Sequence, residues 1–471
     1  MEEDFDPYFD DNDDVELSSR FERMLEKNDH YFFDVEEFEN LIDYYLDQND
    51  TKKAKQVIDF SLTQHPSSSA LKLKQAQFYT ETHQPNKALE ILNAAENLEP
   101  YNSEIYLTKA NIFSQIRQHN KAIENYFKAV KLIDDKNEKA NIYINIAFEY
   151  ENLNQFNKAI NILKELLKDN PENETVLYEI AFCYNLKNDT ESSIKFFNEF
   201  LNDYPYSYTA WFNLGIAYNK AELYEKSVDA YDFAIAIKED FAAAYFNKAN
   251  SLALLEKYNE AIVMFQETFK IEEPDSSTYY YIGECYEKLE DYPNAEKNYL
   301  KAIKIDDYCA DALAGLAVVN EYQNKDQTAL EFIKKAIDLE ITNSEFWYIY
   351  GDILAKTEAT EDAVVAYYKV MELDADNEEV WLDLSEVVKK NESIDKAILF
   401  LYEGLEKQPE NYAIYTRLTA LLLELGKTND AVDHLNIALS ANKELAQELI
   451  EYYPNAILFP AIVETLENYK K

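Results

Sequence analysis

Ninety Asp and Glu, five His and three Cys are the groups in this 471-residue sequence that could carry chemistry. Their spacing points away from catalysis. His30, His65, His83, His119 and His434 are scattered, and none pairs with another at metal-ligand spacing. Cys183, Cys285 and Cys309 form no C-x-x-C pair, and an odd count gives no disulfide framework. The acidic run Asp10–Asp14 lacks the central glycine of a calcium loop. The six glycines build neither a phosphate-cradling loop nor a nucleophile elbow. No catalytic, metal or cofactor site is therefore expected, and an enzyme would have to work with scattered carboxylates alone. The sequence offers binding chemistry instead. The amides of Asn213, Asn247 and Asn250 can donate and accept at once, which suits gripping an extended backbone. Tyr178, Phe212, Phe246, Tyr280 and Tyr348 are large rings in a recurring position. Lys220, Lys288, Lys356 and Lys390 recur too. Three of them follow Glu284, Asp352 and Glu386 by four residues, the spacing of ion pairs along a helix surface.

The net charge of −45 narrows the partner. Nucleic-acid affinity is built from Lys and Arg, so a chain this acidic repels phosphate backbones. It repels anionic membrane surfaces for the same reason. It stays soluble and favours a basic partner. The 47% hydrophobic content is enough to bury a core, and six Gly with eleven Pro suit a nearly all-helical chain. The N-terminus MEEDFDPYFDDNDD has neither the basic region nor the apolar core of a signal peptide. No apolar run of about 18 residues exists to span a membrane. A reducing cytosol is the expected compartment.

The elements that must position these residues are read from repetition. In residues 208–241, Trp211, Leu214, Gly215 and Tyr218 are followed by Ser227, Tyr231 and Ala234. The same pattern begins at 35, 69, 103, 140, 174, 208, 242, 276, 310, 344, 378 and 412, with one insertion near Lys136–Lys139. The position where a second helix packs most closely reads Ala54, Ala88, Ala122, Ala159, Ser193, Ser227, Ala261, Ala295, Ala329, Ala363, Ala397 and Ala431. Small residues such as Ala181, Gly215, Ala249, Gly283 and Gly351 mark the matching crossing on the first helix, with Ile42 and Thr419 departing at the ends. Pro66, Pro100, Pro171, Pro205 and Pro409 share one position where the second helix stops.

This pattern resembles the tetratricopeptide repeat over residues 35–445. The resemblance implies an all-α solenoid, a right-handed superhelix of antiparallel helix pairs without an internal domain boundary. It places repeat positions 2, 5, 6, 9, 12 and 13 on a concave face that binds a peptide or partner segment. Tyr178, Phe212, Phe246, Tyr280 and Tyr348 then form an aromatic stripe at position 5. Asn213 and Asn247 fall at position 6, and Asn250 at position 9. The clamp of Lys, Asn and Arg found in the family's chaperone binders does not carry over. Here Lys74 and Arg417 are the only basic residues at position 6 and lie at opposite ends.

Both ends depart from the repeat. Residues 1–34 are read as an acidic arm, unstructured over 1–16, with a short helix carrying Phe21, Met24 and Leu25. Asp34 and Glu37 form a capping box for the helix that follows. Residues 446–471 are read as a helical cap over the last packing face. The expected function is a non-enzymatic scaffold or adaptor holding a protein partner in its groove. The alternative is an acidic escort for basic proteins, held by charge and released by salt. Self-association is compatible with either.

Overall fold

The computed structural model describes residues 11–27 and 31–470, without the side chains of 11–14 and 470. Among these residues all regular structure is helical. The chain divides into two compact units, Met1–Ile237 and Lys238–Lys471. In a solenoid each pair packs only on its neighbours, so compactness is local.

Between Val35 and Ala441 the helices come in twelve consecutive pairs. The sixth is representative: a first helix Tyr208–Lys220, a three-residue turn, and a second helix Tyr224–Ile237. Side chains at the N-caps fix where first helices start. Ser68, Asn173, Ser207 and Asp275 each accept a hydrogen bond from the backbone N–H three residues on, satisfying a donor that the helix cannot. Asp34 and Glu37 form the expected capping box. The insertion near Lys136 lengthens the fourth first helix to Lys136–Asn152, capped by Asp135, rather than adding a loop.

The turns have one recurrent feature. Asn49, His83, Arg117, Asn154, Asn188, Glu222, Glu256, Glu290, Asn324 and Glu358 all adopt a left-handed φ of 55° to 59°. Only the last pair places a glycine there, Gly426. A side chain in this region costs roughly 1–2 kcal/mol, least for Asn.

Within each pair the small second-helix residue is buried, from Ala54 through Ala431. The crossing residue on the first helix sets the size of what faces it. Gly215, Gly283 and Gly351 lie against Tyr231, Tyr299 and Tyr367, and a Cβ added at these glycines would come within 2.5, 2.6 and 2.8 Å of the ring. Where the crossing residue is Ala181 or Ala249 the ring becomes Phe197 or Phe265. At these crossings volume is conserved, as tight packing requires, whereas the third pair combines Ala110 with Tyr126.

In the first unit, a helix Asp11–Lys27 precedes the pairs, starting before the expected Ser18. It buries Phe21 and Met24 on the first pair, leaves Leu25 exposed, and ties Arg20 to Glu37 at 2.7 Å. The expectation of an unstructured segment falls outside the described residues for 1–10; residues 11–16 are helical. In the second unit, the chain ends in helices Leu445–Tyr452 and Pro460–Lys470, with a 3-10 turn Pro454–Leu458 between them. Leu449, Ala456 and Ile462 are buried in the same core as Leu421 and Leu435 of the last pair.

Candidate functional site

Four of the five rings at position 5 pack on the large residue of their own second helix. Phe212 meets Tyr231 at 5.8 Å, Phe246 meets Phe265 at 5.4 Å, Tyr280 meets Tyr299 at 5.9 Å and Tyr348 meets Tyr367 at 6.0 Å between ring centroids. Phe212 is only 6% exposed, while Phe246, Tyr280 and Tyr348 are half-buried. The position-5 rings are thus enclosed to different degrees, Phe212 most completely, and burial of so large a side chain is a substantial gain. Asn213 is 3% exposed and donates to the Thr209 carbonyl at 2.9 Å. Asn247 likewise donates to the Ala243 carbonyl at 2.8 Å. An amide committed to its own helix has less to offer a peptide. Tyr178 and Asn250 keep accessible surface and line separate cavities.

Exposed apolar surface appears instead at position 9. In the first unit, Phe148, Phe182 and Ile216 occupy this position in three consecutive first helices and are 39%, 49% and 40% exposed. Between the fifth and sixth first helices, Phe182 and Ile216 wall a cleft of about 370 Å³ floored by Tyr178, Ala181 and Ala217. At its rim the Lys220 ammonium donates to the Asn185 side chain at 2.6 Å. Glu179 also lines the cleft. Burial, with repulsion from Glu151, holds its carboxyl above the usual range. Glu151 itself is buried and accepts the Cys183 thiol at 3.0 Å. In the sequence the amide of Asn250 stands out at position 9, and this stripe does not. The available signal was three large apolar residues in phase at a place pair packing does not require.

Three first helices of the second unit carry carboxylates at the same position: Glu284, Asp352 and Glu386. Burial raises the Glu284 carboxyl, and Lys288 offsets part of the effect. Asp352 is pushed up to about 6 by burial and by Asp383 and Glu321, although the Tyr367 hydroxyl donates to it at 2.6 Å. Burial likewise raises Glu287, which accepts from Tyr299 at 2.7 Å. Tyr348 donates to Asp383. The lysines behave less uniformly than their spacing predicts. Lys390 pairs with Glu386 at 3.5 Å, whereas Lys356 donates to the Glu321 carbonyl at 2.7 Å. Among the described residues no group of His, Cys, Asp or Glu is arranged to hold a metal ion. No described helix is long and apolar enough to cross a membrane.

A tetratricopeptide-repeat family model matches residues 103–136, 140–173, 276–309 and 344–377, and a second such model matches 175–207. No curated protein matches the chain. Among solved structures it is similar to the APC/C hetero-tetramer Cut9-Hcn1, at 14% identity over 87% of this chain and 99% of that one, with a TM-score of 0.44. It is also similar to YrrB, a TPR protein with an unusual peptide-binding site, at 18% identity over 39% of this chain and 95% of that one, with a TM-score of 0.33. A third similarity is to Pseudomonas aeruginosa pilF, at 17% identity over 43% and 92%, with a TM-score of 0.38. Scores this low add no weight to the assignment. The family matches fall on five helix pairs, and the other seven repeat their register and their small second-helix residue. This chain is a tetratricopeptide-repeat protein.

Proposed function

We propose that the chain is a non-enzymatic scaffold that holds a segment of a partner protein on the first helices of its repeats. The observation that carries this is the row Phe148, Phe182 and Ile216, three large apolar side chains left exposed beside a cleft on a chain of net charge −45. Apolar surface gathered in one place and rimmed by polar groups is the form interaction sites take. Tetratricopeptide arrays bind protein or peptide partners, which is consistent with that surface. The three free cysteines support a reducing compartment, the cytosol.

A second reading, an acidic escort for basic proteins, is favoured by the half-buried carboxylates of the second unit, Glu284, Asp352 and Glu386. The two separate by experiment. Partners are captured from native lysate on immobilised protein, wild type against Phe182→Ser/Ile216→Ser, at low and moderate salt. The scaffold reading expects a partner that survives salt and is lost with the double substitution. Basic proteins that ignore the substitution and wash off with salt would establish the escort instead.

A further inference from the structure

The cleft between the fifth and sixth first helices holds a carboxylate without a counter-charge. Glu179 lines it, half-buried, and no described residue forms an ion pair or hydrogen bond with its side chain. The buried Glu151 adds repulsion. Lys220, the cation at the rim, is engaged with Asn185. The second unit contains a filled example of the same situation. There Glu386, also half-buried on a first helix, accepts the Tyr452 hydroxyl at 2.7 Å, and Lys390 lies 3.5 Å away. Arg417 stacks 3.7 Å from the Tyr452 ring centroid and 3.9 Å from the Glu386 carboxylate. An aromatic ring and cations from the chain itself thus complete that carboxylate. Burial still raises it, but the hydroxyl and the cations prevail and its carboxyl is held low. At Glu179 the apolar walls, Phe182 and Ile216, are in place and the filler is missing.

We infer that the cleft takes a partner segment in which a large apolar side chain adjoins a Lys or Arg. The apolar group sits between Phe182 and Ile216, and the cation meets Glu179. The inference rests on the scaffold reading and specifies its partner. An already desolvated carboxylate gains more from a cation than one in open water does, since part of the cost of removing it from water has been met in the free protein. An anionic segment is excluded by Glu179 and Glu151 together.

The test uses short fluorescein-labelled peptides with alternating Phe and Lys, Phe and Gln, or Ser and Lys. Their binding to the full chain is followed by anisotropy in about 0.15 M salt. The Phe–Lys peptide is expected to bind about tenfold more tightly than Phe–Gln. Glu179→Gln should erase that preference, while Glu191→Gln on the exposed second helix retains it. Thermal melts should show Glu179→Gln at least as stable as wild type, because it removes an unpaired charge. An unchanged preference in Glu179→Gln would overturn the inference and assign the effect to overall charge. Failure of the Phe–Lys peptide to bind would overturn it as well. If Phe182→Ser/Ile216→Ser binds that peptide as well as wild type, the scaffold reading itself fails.

Discussion

The first-helix surfaces of the two units are built on one repeat and can be compared at position 9. In the first unit it includes Phe148, Phe182 and Ile216 after Asp43, Gln77 and Asn111; in the second it includes Glu284, Asp352 and Glu386 beside Asn250, Val318 and Ala420. The comparison separates two kinds of constraint. The crossing positions are fixed by volume. Position 9 is held less tightly: it carries exposed apolar groups in one unit, and in the other Asp352, which accepts from Tyr367 of its sister helix. The second unit meets part of its own acidity internally, with tyrosine hydroxyls on Asp352 and Glu287.

Breaking the shared scaffold should produce the largest effect. In Gly215→Leu a Cβ would stand 2.5 Å from the Tyr231 ring, and the loss of stability is expected to be about 3 kcal/mol. Urea unfolding should show it, and the apolar cleft should lose its peptide. Gly351→Leu, which meets Tyr367, should destabilise comparably yet leave peptide binding in place. Equal loss of binding in both would deny that the faces act separately.

The acidic face can be sharpened next. Asp352 has a folded pKa of about 6 against an ordinary 3.8. Its proton is held more tightly in the folded state, so its contribution favours folding at low pH and is lost as pH rises through 6. Asp352→Asn keeps an acceptor for Tyr367 and removes the charge. It should stabilise the chain by roughly 1 kcal/mol at pH 7.5, discounted for partial exposure, and by nothing near pH 4. Denaturation midpoints at both pH values decide this; a gain that does not depend on pH would refute it. The smallest effect tests that both units share one turn. Glu222→Gly and Glu290→Gly should each raise stability by about 0.5–1 kcal/mol, additively, in thermal melts.

The helix pairs were legible in the sequence because their requirements are steric and repeat. A residue that must be small is small twelve times, and the prolines fall where a helix must stop. The binding face was less legible. Family geometry places positions 5 and 9 together, but a ring at 5 also finds a ring or aliphatic side chain on its own second helix, as Phe212 does with Tyr231. Only three-dimensional packing tells which of two apolar positions stays uncovered. Asn213 misled for a related reason. Its amide is satisfied by the carbonyl one turn earlier, a local bond that composition does not reveal. Glu179 falls at position 6 of its repeat, a concave-face position, but what sets it apart is the lack of a partner, which the sequence does not reveal.

The left-handed turn residues have a further bearing on how this chain changes over generations. Ten turns hold a side chain where glycine would sit without strain, and several of those side chains are Glu. None of these turn residues lines the apolar cleft. Asn188 and Glu222 adjoin the lining residues Thr190 and Lys220, but at the other eight turns rigidity can be adjusted one at a time by single substitutions away from them. A lineage moving to a warmer habitat has eight such adjustments open to it before any change in what the cleft recognises.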